Sequence, residues 1–261
     1  MKWPELMWLI RHDVSAYNIL KDKKLKSQLY QEFIKQFELD PTTDKAKALA
    51  LAVQEEFSLG IGDAETPLLD LEAKRAEEVG IALRRKYHKK APHVIFVSPY
   101  KRTKLTLAGL MRGWPELRKI HVVEDERIRE QEHGLSLIYN DWRVFHTLHP
   151  EQRLLFKCEG SYWYRYPQGE SVPDVRARDR SWMTSVVRDF SEKRVMAVTH
   201  HLNILGVRAH LERWSAEEFI RVDSSDRPLN CGVTTYRGNS KVGKDGRFEL
   251  EYYNRRFYKL K

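Results

Sequence analysis

The chain has 261 residues, of which 41% are apolar and 32% are charged. This composition is typical of a globular protein and excludes a disordered or collagen-like chain. The 46 Lys and Arg residues exceed the 37 Asp and Glu residues, and the net charge of +9 favours anionic partners such as phosphorylated metabolites. Two cysteines are too few for a disulfide framework, and no apolar run fits a membrane span or a signal peptide. We therefore expect a soluble, cytoplasmic protein.

Short apolar runs predict the strands. The three strongest runs contain neither Gly nor Pro and are typical of strands buried on both faces, as in a parallel sheet covered by helices. They lie at residues 6–10, 94–97 and 195–198. Weaker candidates lie at residues 122–123 and 233–236, and residues 248–253 fit an edge strand.

Amphipathic stretches between these runs predict helices at residues 69–86, 102–112, 172–190 and 202–213. Strands that alternate with helices predict an α/β fold, here a three-layer α/β/α sandwich with a mostly parallel sheet. The chain shows no repeat or low-complexity linker, so we expect residues 1–261 to form a single domain.

A helical insertion is predicted at about residues 19–66. Its two predicted helices cover residues 20–37 and 46–57, on either side of the break at Pro41. The insertion is either a packing appendage or a lid that closes over a site.

Residues suited to phosphate chemistry follow each of the three strongest strands. Arg11 and His12 follow the first, Arg102 comes soon after the second, and His200 comes soon after the third. Parallel strands end at the same edge of a sheet, where α/β proteins bind their ligands. Two guanidinium groups and two imidazoles at this edge predict a pocket for a phosphoryl dianion, because Arg offers planar, bidentate donors to phosphate oxygens.

Other polar features have structural interpretations. His146 and His149 lack a convincing metal-ligand pattern and are interpreted as part of a solvated helix or loop. Basic clusters are more often solvated faces than nucleic-acid contacts. We interpret three clusters in this way, at residues 21–26, 84–90 and 255–259.

The motifs resemble those of the histidine phosphatase superfamily, whose best-known branch is the cofactor-dependent phosphoglycerate mutases. The resemblance extends from residue 6 to about residue 237, apart from the insertion, and it implies a phosphoglycerate mutase-like fold. It rests on the segments LIRHDVSAYN (9–18), SPYKRTKLT (98–106), IREQEHG (128–134), YPQGES (166–171), VTH (198–200) and NCGVT (230–234).

The resemblance implies a phosphatase that hydrolyses a small phosphorylated metabolite or phosphoester through a phosphohistidine intermediate. His12 would be the nucleophile. Glu130 would protonate the leaving group, and the motif alignment favours it over Glu132.

The resemblance also implies the substrate contacts. Arg11, Arg102 and His200 would stabilise the charge on the phosphate oxygens, which is the main task in phosphoryl transfer. Asn18 and Ser15 would complete the substrate-binding set. No metal or other cofactor is expected, because the two arginines supply the positive charge.

The sequence departs from the family pattern at several positions. Asp13 and Val14 stand where the family usually has Gly-Glu, and His201 replaces a Gly that often follows the second histidine. Glu72 and Arg75 stand where the family tends to have Gly and Gln. Asp13 therefore brings an acidic group close to the predicted anion site.

Two other functions stay open. One is a phosphoglycerate-type phosphomutase, which returns the phosphoryl group to its substrate. The other is a catalytically weak regulatory protein that binds an anion. A small phosphorylated substrate is the expected partner, and neither a membrane nor a nucleic acid is expected. The sequence predicts neither the identity of the substrate nor the oligomeric state.

Overall fold

The structure, a computed structural model, describes residues 3–87 and 90–259. Its strands are β1 (Leu6–Arg11), β2 (Val94–Val97), β3 (Val122–Glu124), β4 (Arg194–Thr199), β5 (Val233–Asn239) and β6 (Arg247–Arg255). In the described residues they form one sheet of order β3-β2-β4-β1-β5-β6. Strands β1 to β4 run parallel to one another, whereas β5 pairs antiparallel with β1, and β6 pairs antiparallel with β5. The predicted α/β fold with a mostly parallel sheet is confirmed.

Strand β1 shows why a continuous apolar run predicts a central strand. Successive side chains of a strand point to opposite faces. Leu6, Trp8 and Ile10 accordingly pack into one apolar cluster, while Met7 and Leu9 pack into another. Both faces of the sheet are therefore covered at β1. The predicted edge strand is also confirmed, because β6 lies at one end of the strand order.

Helices occupy the segments between the strands. They are α1 (Ala16–Lys26), α2 (Gln28–Leu39), α3 (Asp44–Glu56), α4 (Lys74–Lys86), α5 (Lys101–Gly113), α6 (Trp142–Leu148), α7 (Pro150–Trp163), α8 (Val172–Asp189), α9 (His201–Glu212) and α10 (Ala216–Ser225). Within the described part of the chain, none has the length and apolar character needed to cross a bilayer.

Two predicted helices begin or break at unexpected residues. Helix α4 starts at Lys74 rather than at residue 69, because Ala73 adopts a left-handed conformation with φ of 48°. The prediction of one continuous helix over residues 20–37 is wrong, because the helix is interrupted at Ser27. The Ser27 hydroxyl accepts a hydrogen bond from the Tyr30 amide and so caps α2.

The chain divides into two compact units. The first contains the sheet and comprises Met1–Ser15, Pro67–Glu130 and Asp174–Lys261. The second comprises Ala16–Thr66 and Gln131–Pro173. The inserted helices thus fall in the second unit, together with α6 and α7. The single domain with an insertion at about 19–66 stays a prediction.

The second unit has its own core and its own buried ion pair. Phe33 and Val53 are fully buried in an apolar cluster. The Lys24 Nζ lies 2.6 Å from the Asp141 Oδ2, which also accepts a hydrogen bond from the Tyr30 hydroxyl at 2.6 Å. Lys24 is therefore buried, and the interpretation of residues 21–26 as a solvated face is wrong at this position. In the second basic cluster, His88 and Lys89 lie outside the described residues.

His146 is also buried, so its interpretation as a solvated residue is wrong. It is 1% exposed, and its ring centroid lies 5.0 Å from that of Phe156 and 5.6 Å from that of Trp142. Neither ring nitrogen has a hydrogen-bond partner among the described residues. Burial, assisted by Arg153, lowers the pKa of His146 to about 4. Spacing in the sequence does not show which face of α6 is covered.

Candidate active site

Three strand ends meet at one edge of the sheet in the first unit. Arg11, the last residue of β1, lies opposite Thr199, the last residue of β4. The next residues, His12 and His200, are therefore neighbours, and their ring centroids are 5.2 Å apart. The end of β2 joins them, because the Ser98 amide donates a hydrogen bond to the Val198 carbonyl at 3.1 Å. The predicted convergence of these strand ends is thus present.

His12 is buried, and one hydrogen bond fixes its ring. Its Nδ1 lies 2.6 Å from the backbone oxygen of Asp13. A carbonyl oxygen only accepts, so Nδ1 carries the hydrogen and Nε2 of the neutral ring keeps a lone pair. Burial, together with the positive charges of Arg102 and Arg11, lowers the pKa of His12 well below 6.5. The ring is therefore neutral at pH 7 and has a nucleophilic nitrogen.

His200 is fully buried at the residue that precedes α9. Its Nε2 lies 2.7 Å from the Ser98 Oγ, and its ring packs edge-on against Tyr100. Within residues 3–87 and 90–259, its Nδ1 has no hydrogen-bond partner. Burial and the neighbouring Arg102 lower the pKa of His200 well below 6.5. The structure therefore holds both imidazoles of the site in the neutral form.

Two arginines supply the positive charge of the site. Arg102 is 4% exposed near the start of α5, and its guanidinium lies 4.8 Å from the ring centroid of Tyr100. Arg11 donates from Nη1 to the Pro228 carbonyl at 2.7 Å. Burial lowers the pKa of Arg11, while the Glu130 carboxylate acts in the opposite direction. Two largely buried guanidinium groups beside neutral imidazoles make this edge of the sheet attractive to an anion.

Glu130 lies beside the start of α9. Its Oε1 accepts a hydrogen bond from the Leu202 amide at 3.2 Å, in the first turn of the helix. Arg178 holds the backbone of this segment by donating to the carbonyls of Arg127 and Glu130 at 2.7 and 3.1 Å. The Glu130 carboxyl group therefore lies at the edge that carries His12 and His200.

Two further residues hold the backbone of the loop that carries His12. The Thr106 hydroxyl accepts from the Asp13 amide at 2.9 Å and donates to the Arg102 carbonyl at 2.7 Å. The Asn230 side-chain amide donates to the carbonyls of His12 and Asp13 at 3.0 and 3.2 Å. Both residues belong to the motifs that carry the family resemblance, but neither was assigned a role from the sequence alone. The signal that could have identified these two residues is their presence in the ordered motifs.

The first unit thus brings together some, but not all, of the predicted site residues. Arg11, His12, Arg102, Glu130 and His200 lie at the same strand-end edge. Of the two remaining residues, Ser15 is buried in the first unit, where it forms an isolated bridge with Leu68. Asn18 belongs to α1 in the second unit, and the substrate contacts of Ser15 and Asn18 stay predictions.

His201, the residue after the second histidine, forms an ion-pair contact of its own. Its Nε2 lies 2.7 Å from the Asp223 Oδ1 of α10. Burial alone would raise the pKa of Asp223, but His201 and Arg227 beside it lower the pKa below its usual value.

Among the described residues, no group of three or more His, Cys, Asp or Glu side chains is arranged to hold a metal ion.

Comparison with known proteins gives a family match. Residues 56–248 match the histidine phosphatase superfamily, branch 1. Arg11 and His12 lie before the matched residues in the sequence. The inserted helices lie between these two residues and the matched segment. The phosphoglycerate mutase-like protein AT74H of Arabidopsis thaliana is 34% identical over 139 residues, which cover 49% of this chain and 47% of that protein. The chain thus spans about half the length of this relative.

Solved structures with low sequence identity share the fold. The α-ribazole phosphatase from Shigella flexneri has a TM-score of 0.66 and 15% identity, covering 98% of this chain and 99% of its own. A mycobacterial glucosyl-3-phosphoglycerate phosphatase in complex with inorganic phosphate has a TM-score of 0.62 and 18% identity, covering 97% and 98%. At this level of identity the similarity shows the fold alone.

Proposed function

The chain belongs to branch 1 of the histidine phosphatase superfamily, and from this premise we propose that it hydrolyses a small phosphorylated metabolite or phosphoester. The observation that carries the proposal is the arrangement of His12. Its Nδ1 is bound to the Asp13 carbonyl, and it is buried with Arg11 and Arg102 close enough to lower its pKa. This arrangement leaves Nε2 as a nucleophile in a positively charged environment.

In the first step, Arg11, Arg102 and His200 would bind the phosphate oxygens. The Nε2 atom of His12 attacks phosphorus, so that a nitrogen–phosphorus bond forms and the ester oxygen–phosphorus bond breaks. The leaving oxygen takes a proton from the Glu130 carboxyl.

In the second step, water attacks the phosphohistidine. Glu130, now a carboxylate, accepts a proton from the water while the nitrogen–phosphorus bond breaks. Inorganic phosphate leaves, and His12 regains its neutral form. The guanidinium groups stabilise the charge on the equatorial oxygens in both steps.

The proteins of similar fold support a small substrate. One is named as an α-ribazole phosphatase and another as a glucosyl-3-phosphoglycerate phosphatase. The name of the Arabidopsis relative instead points to a phosphoglycerate mutase-like protein, which keeps the mutase as a second candidate. The two reactions differ in whether the phosphoryl group goes to water or back to the substrate.

A panel of phosphorylated metabolites, including 2- and 3-phosphoglycerate, tests the proposal. We expect release of inorganic phosphate and an acid-labile phosphoenzyme that is absent from His12→Ala. Interconversion of the two phosphoglycerates without phosphate release would support the mutase instead. Tight phosphate binding with neither activity nor a phosphoenzyme would support the anion-binding regulatory protein.

A further inference from the structure

Asp13 provides much of the support for the nucleophile. Its backbone oxygen accepts from the His12 Nδ1, and its backbone amide donates to the Thr106 hydroxyl. Its side chain is 6% exposed, and its Oδ1 accepts a hydrogen bond from the Val14 amide at 2.7 Å. The carboxylate is thus buried in the loop that holds His12.

Arg75 brings a positive charge to this carboxylate. Its Nη1 lies 3.3 Å from the Asp13 Oδ1, and its guanidinium lies 5.0 Å from the ring centroid of Tyr258. The Tyr258 hydroxyl donates to the Asn230 carbonyl at 2.9 Å. Asn230 in turn donates to the carbonyls of His12 and Asp13. Arg75 therefore contacts the nucleophile loop directly through Asp13 and is linked to it again through Tyr258 and Asn230.

An unpaired carboxylate at Asp13 would oppose the proposed chemistry in two ways. Its negative charge would repel a phosphate dianion, which Arg11 and Arg102 attract. It would also favour the protonated form of His12, which has no lone pair on Nε2 for the attack. A buried charge without a partner is itself costly, so the loop would lose its geometry as well. An opposite charge at hydrogen-bond distance reduces all three effects.

We propose that Arg75 is a positioning residue, which neutralises Asp13 and so keeps the His12 loop able to bind and attack a phosphate group. This inference rests on the proposed function. It also connects two departures from the family pattern, since the acid after the nucleophile and the arginine in α4 lie opposite one another. Arg75 acts through Asp13 and contacts no reacting atom in this proposal.

The test measures vanadate binding and the steady-state kinetics of the full chain on a phosphate ester. Arg75→Met should weaken vanadate binding and lower kcat/KM by about tenfold or more, whereas Arg75→Lys should stay within about threefold of the wild type. The double variant Asp13→Asn/Arg75→Met should recover most of the vanadate affinity, because the uncompensated charge is gone. Arg84→Met is the matched control in the same helix, since Arg84 pairs with Glu116 and has a similar exposure.

The outcomes separate charge compensation from mere stabilisation. Equal losses in Arg75→Met and in the double variant, with lowered unfolding temperatures in both, would overturn the inference in favour of a structural role. Unchanged vanadate binding in Arg75→Met would also overturn it while leaving the proposed function intact. A wild-type protein that forms no phosphoenzyme and binds no vanadate would overturn the proposed function, and this inference with it.

Discussion

At His12 a single hydrogen bond separates the roles of the two ring nitrogens. The Asp13 carbonyl fixes the hydrogen on Nδ1, so the lone pair needed for attack is on Nε2. The same carbonyl also accepts a hydrogen bond from Asn230, which lies in the segment before β5 and helps to hold the carbonyl in place. The chemistry of this residue therefore depends on backbone atoms as much as on its own side chain.

Replacing His12 by Ala should abolish turnover and phosphoenzyme formation while the protein still folds. The imidazole is the nucleophile in the proposed mechanism, and no other group of the site would replace it. The phosphoenzyme is measured by transfer of labelled phosphate, and folding by circular dichroism. His121→Ala, at an exposed position, should behave like the wild type. An acid-labile phosphoenzyme in His12→Ala would assign the nucleophile to another residue.

Replacing Arg102 by Met should weaken inhibition by phosphate and vanadate and change the pH profile. Arg102 is one of the charges that lower the pKa of His12, so its loss should raise that pKa. The nucleophile is active above its pKa, and the acidic limb of kcat/KM should therefore move to higher pH. Arg112→Met, at the other end of α5, is the control. An unchanged profile with unchanged anion inhibition would place Arg102 outside the pocket.

Replacing Glu130 by Gln should affect substrates according to their leaving groups. An alkyl phosphate releases a basic alkoxide, and loss of its general acid should lower kcat by ~10²–10⁴. An aryl phosphate releases a weakly basic phenoxide and should lose much less. Glu132→Gln serves as the control on both substrates. Equal losses on the two substrate types in Glu130→Gln would remove Glu130 from the role of proton donor.

At the scale of elements, two close-packed helices carry a residue that contacts the His12 loop and a residue of the proposed phosphate site. Helix α4 carries Arg75, and helix α5 carries Arg102. Glycines let their backbones approach: a Cβ added at Gly80 would lie 2.5 Å from the Leu110 carbonyl, and one at Gly113 would lie 2.0 Å from the Glu77 carbonyl. Backbone atoms cannot move aside cheaply, so this interface tolerates no added methyl group.

The variant Gly80→Ala should therefore destabilise the protein. Ala is the better helix former by about 1 kcal/mol, but the contact with the Leu110 backbone should outweigh this and lower the free energy of unfolding by ~1–3 kcal/mol. Urea denaturation measures the change. Gly62→Ala is the matched control, because nothing lies within 4 Å of its added Cβ and its φ is negative. A Gly80→Ala protein as stable as the control would show that the helices separate easily.

The strands were predictable from sequence, whereas the helix ends were not. An apolar run such as residues 6–10 predicts a strand buried on both faces, because both sets of alternating side chains need cover. The break at Ser27 and the left-handed Ala73 depend on local capping geometry, which hydropathy does not encode. The prediction therefore located the elements well and their first residues poorly.

At the scale of the whole molecule, buried histidines link stability to pH. In the folded chain the pKa of His146 is lowered to about 4, whereas its ordinary value is 6.5. Between these values the unfolded chain binds a proton that the folded chain does not bind. The free energy of unfolding should therefore fall as the pH falls from about 6.5 to about 4. His12 and His200 act in the same direction, because their pKa values are also lowered.

Replacing His146 by Phe should reduce this dependence on pH. Phe suits the aromatic surroundings and has no group to protonate. The free energy of unfolding of the variant should therefore fall less between pH 7 and pH 5 than that of the wild type. Denaturant unfolding at both pH values measures the difference. His121→Phe, at an exposed position, should leave the dependence unchanged. An equal loss in His146→Phe and the wild type would show that His146 does not contribute.

The sequence predicted which residues gather at the site but not which side chains touch. Arg11, His12 and His200 follow apolar runs, and the rule that parallel strands end together brings them to one edge. The contact between Ser98 and His200 joins residues 102 positions apart, and that between Asp13 and Arg75 joins residues 62 positions apart. Such pairs depend on helix placement and side-chain reach, which a single sequence does not fix.

The position of β1 between β4 and β5 has a consequence for synthesis on the ribosome. Both neighbours of β1 come from residues 194–239, so β1 has no partner in the sheet until those residues have been made. Pairing between such distant segments is slow to form, and an apolar strand with unpaired edges is prone to aggregate in the meantime. We therefore expect the nascent chain to pair both edges of β1 only after residues 233–239 have left the ribosomal tunnel.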